Sequence, residues 1–290
     1  MNYSELGKLA EAITVKVIRL IQTARKENKF TVHEESNPYV MGGKSISTTV
    51  DIAAQREYTD VFSVKTPDIG IVAEEKDPLQ SFAISNKSTV WLIDGVDGTT
   101  NLVGGAPFGY GTQCALLQGR NVPIAIVGDA STGDIFGYYG NSGVFRIDKH
   151  GKRSQISRVT RERRLVDHDG LRRPTINQYH PLSQKLLLSG EVGDVQELVG
   201  GIGTTMAQML TDQIGLFGLR PHHERPWDAV PAYALCAKAD MVFMTPTKNG
   251  RSFQRWHPAH LKTTYMRNVD LLVMHRSRVR EFMEVVERHA

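Results

Sequence analysis

Trp91-Leu92-Ile93-Asp94-Gly95-Val96-Asp97-Gly98-Thr99-Thr100-Asn101 is the stretch that decides how this chain is read. Val90 to Ile93 is a short apolar run bounded by turn residues, the pattern of a strand buried on both faces. The strand should break at Asp94 and turn through glycines, with a helix starting near Thr99 and capped by Asp97 or by Thr99 itself. Two aspartates three apart across such a turn can converge on one point. The backbone N–H groups of Gly98, Thr99 and Thr100 would face that same point, which makes it a ready anion site. An isolated Asp-Gly is usually an ordinary turn; the whole string argues for more.

Two further acidic positions flank it. Glu74-Glu75 closes a second buried strand, Asp68 to Ala73, and Asp228 stands at the start of a helix spanning about 228 to 239. Alone, the first is a solvated pair and the second an N-cap. If Glu74, Asp94, Asp97 and Asp228 converge, like charges ~4 Å apart repel by roughly 4 kcal/mol per pair at an effective dielectric of 20. Such groups protonate or bind cations. With oxygen ligands only and no His or Cys in the strings, Mg²⁺ is favoured over zinc, with Mn²⁺ as a substitute.

The remaining chain reads as α/β. Leu6, Leu9, Ile13, Val17, Leu20 and Ala24 make one face of a helix over about 4–26. A polar, Gly-containing loop over 34–47 is expected to close over the site and to shift when cation binds, ahead of a helix over 51–62. Runs at 113–118, 122–127, 134–139 and 144–147 predict a meandering sheet. Residues 149–173 carry nine Lys or Arg and few large apolar residues, which places a boundary between an N-terminal half, 1–148, and a C-terminal half, 149–290. The site is expected between them. Further helices are predicted over 183–189, 200–212 and 277–289.

Composition narrows the function classes. A chain of 290 residues with 40% apolar and 23% charged residues is neither a small stapled scaffold nor a disordered one. The net charge of +4 is too small to require a nucleic-acid partner, and an anionic substrate explains it equally well. Cys114 and Cys236 lie in apolar stretches without a Cys-x-x-Cys pair and read as buried thiols. No run approaches the ~20 apolar residues of a membrane span, so the expectation is a soluble, cytoplasmic protein.

At these residues the chain resembles the inositol monophosphatase family of the lithium-sensitive, fructose-1,6-bisphosphatase-like phosphatases. Its Gly-Glu-Glu pattern is present as Ala73-Glu74-Glu75, its Asp-Pro-x-Asp-Gly-Thr-Thr-Asn as Asp94 to Asn101, and its Trp-Asp-x-Ala-Ala-Gly as Trp227 to Ala232. Ser47 to Gln55 resembles the segment that supplies a supporting aspartate, and Gly203-Thr204-Thr205 resembles the family's Gly-Ser/Thr-Ala segment. The resemblance implies a layered αβαβα fold, a homodimer and lithium inhibition. It implies that Glu74, Asp94 and the Val96 carbonyl hold one Mg²⁺, that Asp94, Asp97 and Asp228 hold a second, and that a third binds weakly near Glu74. Thr99, linked to Asp51, would with Glu74 orient and deprotonate the attacking water. Gly98, Thr99, Thr100, Thr204 and Thr205 would bind the phosphate.

Three departures stand out. Gly95 replaces the family's proline, Ala73 replaces a glycine, and the glutamate that contacts inositol hydroxyls falls on Pro221. In its place Arg220, His222, His223, Glu224 and Arg225 form a cationic group suited to a second phosphate. The substrate classes this leaves open are inositol monophosphate, fructose 1,6-bisphosphate and a nucleoside 3′(2′),5′-bisphosphate. A non-catalytic protein using the basic stretch 149–173 on nucleic acid is the competing reading. Asp148, Glu162, Asp167 and Asp169 interleave that stretch, no stacking aromatics accompany it, and every motif carboxylate is retained. A kinase or NTPase is disfavoured because no Gly-x-x-x-x-Gly-Lys-Ser/Thr string exists.

Overall fold

Asn2 opens the first helix, α1 (Tyr3–Glu27), by accepting from the N–H groups of Ser4 and Glu5, and Asn28 closes it in the left-handed conformation at φ 50°. A computed structural model describes residues 1–36, 44–75, 89–156, 171–172, 180–189, 191, 196–197, 200–211, 216–219, 222–223, 225–256, 266–267 and 270–289. The chain divides into two compact units. The first is Met1–Ser157 with Val199–Ala207 and Arg225–Leu235, and the second holds the remainder. Asp228 thus lies in the same unit as the other motif carboxylates, although it falls beyond residue 149.

In the first unit α1 is followed by β1 (Val32–Ser36), β2 (Lys44–Thr48) and α2 (Thr49–Lys65). The expected loop over 34–47 is in part an antiparallel ribbon, with Val32 opposite Thr48 and Ser36 opposite Lys44; residues 37–43 lie outside the described residues. Next come β3 (Gly70–Ala73), β4 (Thr89–Asp97), α3 (Thr99–Gly104), β5 (Gly111–Gln118), β6 (Asn121–Asp129), β7 (Asp134–Tyr139), β8 (Phe145–Ile147) and β9 (Arg153–Gln155). The seven strands β3 to β9 form one sheet in chain order. β3 and β4 pair in parallel, and every later neighbour pairs antiparallel. The predicted meander is therefore present, and the start of the basic stretch extends it as β9.

Helices α1 and α2 cover this sheet, α1 across β5 to β7 and α2 across β3 and β4. Ala10, Ile13, Val17 and Ile21 recur at helical spacing and are all buried. Trp91 stacks on Phe62 at 4.1 Å between ring centroids and donates its indole N–H to Thr66 Oγ1 at 3.2 Å, which ties β4 to the end of α2. Burial of side chains this large contributes about 2–3 kcal/mol apiece, so β4 is held firmly along its length.

After β9 come β10 (Leu171–Arg172), α4 (Pro181–Leu188), β11 (Gln196–Glu197), α5 (Ile202–Leu210), β12 (Leu216–Leu219), β13 (His222–His223) and α6 (Pro226–Lys238). β14 (Met241–Pro246), β15 (Phe253–Trp256), β16 (Met266–Arg267), β17 (Leu271–His275) and α7 (Val279–His289) complete the chain. The second unit contains an antiparallel sheet in the order β12-β17-β14-β15; the sequence reading expects an α/β half here but places only its helices. Leu182, Leu186, Val242, Met244, Leu272, Met274 and Phe282 pack together as its core.

Helix α6 corrects one local expectation. It begins at Pro226 rather than at Asp228, because Pro is preorganised for the first helical position. Pro231 therefore lies in the helix interior, where it removes the N–H that would bond the Trp227 carbonyl. The α/β class read from the sequence holds. No described helix is long and apolar enough to cross a membrane.

Candidate active site

Parallel pairing brings the first two carboxylates together. Ala73 on β3 lies opposite Ile93 on β4, so the next residues, Glu74 just past the end of β3 and Asp94 within β4, stand at the same level, about one strand spacing of ~4.8 Å apart. The Glu74 N–H donates to the Ile93 carbonyl at 3.2 Å and fixes that level. Asp228 joins them from the first turn of α6. One carboxylate oxygen from each of Glu74, Asp94 and Asp228 lies within 4.8 Å of the other two.

Asp94 is only 2% exposed, and its Oδ1 has no hydrogen-bond partner among the described residues. Burial, and then the Glu74 carboxylate, push the Asp94 acid well above the usual range. Glu74 is raised likewise by burial and by Asp228, with partial relief from Arg225. A buried, donorless oxygen beside two other carboxylates, with no nitrogen or sulfur ligand, fits a hard divalent cation.

Asp97 is not one of this triplet, although its charge, after that of Glu74, also raises Asp94. β4 runs on through Asp97, with an irregularity of register between Asp94 and Asp97. The Asp97 carboxylate meets the start of α5, where Oδ2 accepts from the Thr204 N–H at 3.2 Å. Burial pushes its pKa up to about 6, opposed by backbone N–H groups of Thr204, Gly203 and Ile202. Gly201 must be glycine here, because a Cβ would come 2.1 Å from Asp97 Oδ2.

The turn after β4 is capped by neither residue the sequence suggested. Gly98 is the N-cap of α3, at φ 85°, without a side-chain cap bond. A Cβ there would sit 2.2 Å from the Gly109 carbonyl oxygen, so both the conformation and the space demand glycine. Thr99 is thereby released from capping. Its hydroxyl lies 2.6 Å from Asp51 Oδ1 and 3.0 Å from the Val96 carbonyl. Asp51 is held in turn by the capping box of α2, accepting from the Thr48 N–H at 2.8 Å and from the Thr48 hydroxyl. Burial raises the Asp51 pKa, and the bonds from Thr48 and Thr99 oppose that rise. In the first turn of α3 the N–H groups of Thr99 and Thr100 have no intrahelical carbonyl.

Thr204 and Thr205 are buried, and their hydroxyls donate to the Gly201 carbonyl at 3.0 and 2.9 Å rather than turning outward. Arg220 lies outside the described residues. Arg225 sits next to the cluster in sequence and in charge, its guanidinium 5.5 Å from the Trp227 ring. The backbone N–H of Arg225 donates to Asp228 Oδ2 at 3.2 Å, so Asp228 also braces the start of its own helix.

Two glutamines escaped the sequence reading. Gln55 on α2 clamps the acidic turn, accepting from the Glu75 N–H at 2.7 Å and donating to the Glu75 carbonyl at 2.9 Å. Gln113 on β5 stands opposite Asp94 in the sheet and donates to the Asp228 carbonyl at 2.8 Å. A polar residue inside an apolar strand run was the one available signal for Gln113.

The sequence profile of the "Inositol monophosphatase family" matches residues 2–277. A curated relative, the Nus factor SuhB of Pasteurella multocida, is 28% identical over 112 residues; the match spans 39% of this chain and 38% of that relative's length. The extragenic suppressor protein suhB of Bartonella henselae superposes with a TM-score of 0.72 at 16% identity, covering 99% of this chain and 100% of that one. An IMPase/NADP phosphatase solved with Mg²⁺ and phosphate superposes at 0.71 and 16% identity, over 98% and 96% of the two chains. At such identities the two structures establish the fold alone.

Proposed function

The chain belongs to the inositol monophosphatase family, and on that footing we propose that it is a Mg²⁺-dependent phosphomonoesterase acting on small polyol or sugar phosphates. The observation that carries this reading is the approach of Glu74, Asp94 and Asp228 oxygens to within 4.8 Å of one another. The donor set suits the Mg²⁺ that the phosphatase relative was solved with. A divalent cation bound there supplies charge neutralisation and makes a nearby water easier to deprotonate.

The residues of the chain do the positioning. Asp51 accepts the single Thr99 hydroxyl proton at 2.6 Å, so the Thr99 oxygen presents a lone pair to the attacking water, with Glu74 as the second acceptor. The Val96 carbonyl is then left as an additional cation ligand. The N–H groups of Gly98, Thr99 and Thr100 receive phosphoryl oxygens; Thr204 and Thr205 belong to the same proposed phosphate-binding set, although their N–H groups are held by Asp97 and the Gly201 carbonyl and their hydroxyls by the Gly201 carbonyl. Asp97 would hold a second cation together with Asp94 and Asp228.

Substrate choice follows from the residues ahead of Asp228. No acid is present at Pro221 to hold polyol hydroxyls, whereas Arg220 and Arg225 suit a second phosphate. Inositol monophosphate, fructose 1,6-bisphosphate and nucleoside 3′(2′),5′-bisphosphates are therefore the candidates, taken by a homodimer. A phosphate-release screen over these three with Mg²⁺ tests the reading. Release that requires Mg²⁺, disappears with EDTA and disappears in Asp94→Asn is expected, and Arg225→Ala should lose bisphosphates selectively. The name of the curated relative, a Nus factor, supplies the contrary outcome. Salt-sensitive RNA binding with no Mg²⁺-dependent release from any ester would replace the hydrolase by a nucleic-acid-binding role.

A further inference from the structure

Gln113 is fully buried at the centre of the acidic site, and no motif of the phosphatase reading uses it. It lies directly across the sheet from Asp94. Its Nε2 is 2.8 Å from the Asp228 backbone carbonyl and 3.5 Å from Asp94 Oδ2. Both neighbours are acceptors, which fixes the orientation of the amide: the two hydrogens of one nitrogen serve two different elements. Its Oε1 has no partner among the described residues, and a Cβ on Gly203 would come within 2.7 Å of it. An apolar side chain would fill this place in the core without leaving a buried oxygen orphaned. Retaining the amide costs on the order of 1–3 kcal/mol, and the cross-link it makes between β4 and α6 offsets that cost.

We infer that Gln113 is a positioning residue that ties Asp94 to the first turn of α6 and so sets where Asp228 stands for cation binding. The amide engages Asp94 Oδ2, while Oδ1 has no hydrogen-bond partner among the described residues. The inference rests on the phosphatase reading only in requiring that the carboxylates bind a divalent cation.

Mn²⁺ titration of the full chain, followed by the loss of free-ion electron paramagnetic resonance, tests it without recourse to activity. Gln113→Met keeps length and volume but removes both donors, and it should weaken Mn²⁺ binding by roughly ten- to a hundredfold, the range seen when groups supporting metal ligands are removed. The Mg²⁺ concentration for half-maximal phosphate release should rise in parallel, with the rate at saturating Mg²⁺ much less affected. Gln113→Asn, which keeps the amide but shortens its reach, provides the same test if the Met variant does not fold. Mn²⁺ affinity within twofold of wild type in a folded variant would overturn the inference and leave the phosphatase reading standing. A wild-type chain that binds no Mn²⁺ would overturn both.

Discussion

The two ends of the Asp94 to Asp97 segment show what a carboxylate's neighbours make of it. Asp94 faces two other acids, and one of its oxygens has no donor among the described residues. Asp97, three residues on, accepts backbone N–H groups at the start of α5. Both are buried, yet Asp97 is pushed up only to about 6, because the amides supply part of what water supplied. Asp94 is pushed well above the usual carboxylate range, with neighbouring charges adding to burial. The first arrangement is costly without a cation. The second is a stable helix cap.

The sharpest way to break this contrast is Asp94→Asn, which keeps the shape and removes the charge. Phosphate release should fall by ~10³ or more, equivalent to about 4 kcal/mol of transition-state stabilisation. Thermal stability in EDTA should instead rise, because a repelling charge has left the cluster. A variant that lost stability in EDTA would show that Asp94 is satisfied in some other way. Next in size is Thr99→Val, which removes the hydroxyl held by Asp51 and should cost ~10² in rate with cation affinity unchanged. Thr99→Ser should restore most of that rate, and equal losses in the two variants would count against the Asp51–Thr99 relay.

Much of this geometry was legible because it is local. Apolar runs lead into both Glu74 and Asp94, and β3 and β4 pair in parallel, so the acids that follow those runs arrive together. Asp228 was recognisable from Trp227-Asp228 and its place ahead of an apolar helix. The bond of Asp97 to α5 was not legible, because its partners come more than a hundred residues later and nothing near Asp97 announces them. β1 and β2, with the sequences VHEES and KSIST, lack apolar alternation, and only their pairing makes them strands. β14 and β17 each open with an apolar run of four residues, Met241–Met244 and Leu271–Met274, a length at which strand and buried helix share one pattern. Gln113 is legible only once the register sets it opposite Asp94.

Titration of the cation-free protein sharpens the comparison further. A carboxyl group whose pKa is higher folded than unfolded binds its proton more tightly in the folded state, so its contribution to stability falls as pH rises between the two values. For Asp97 that window runs from the ordinary 3.8 to about 6, a loss of about 3 kcal/mol across it. Glu74 and Asp94, raised further, should continue the decline above pH 6. Denaturant midpoints in EDTA should therefore drop steadily from pH 5 to pH 8, and saturating Mg²⁺ should flatten the curve. A midpoint independent of pH in EDTA would mean that the acids do not repel one another in the folded chain.

The smallest expected effect belongs to Asp97→Ala, and its sign is the most informative. Removing an acid from the repelling group should stabilise the cation-free protein, whereas removing a helix cap should destabilise it by about 1–2 kcal/mol. The structure favours the second outcome. Ile202, Gly203 and Thr204 would be left with buried N–H groups and no acceptor, while Glu74, Asp94 and Asp228 would still crowd one another. Measured near pH 4, where Asp97 keeps its proton and its ionisation costs nothing, Asp97→Ala should thus lower the EDTA midpoint, whereas Asp94→Asn raises it at pH 7. Shifts of the same sign would mean that Asp97 belongs with the repelling carboxylates in the resting chain, and that its bond to α5 contributes less than their mutual repulsion.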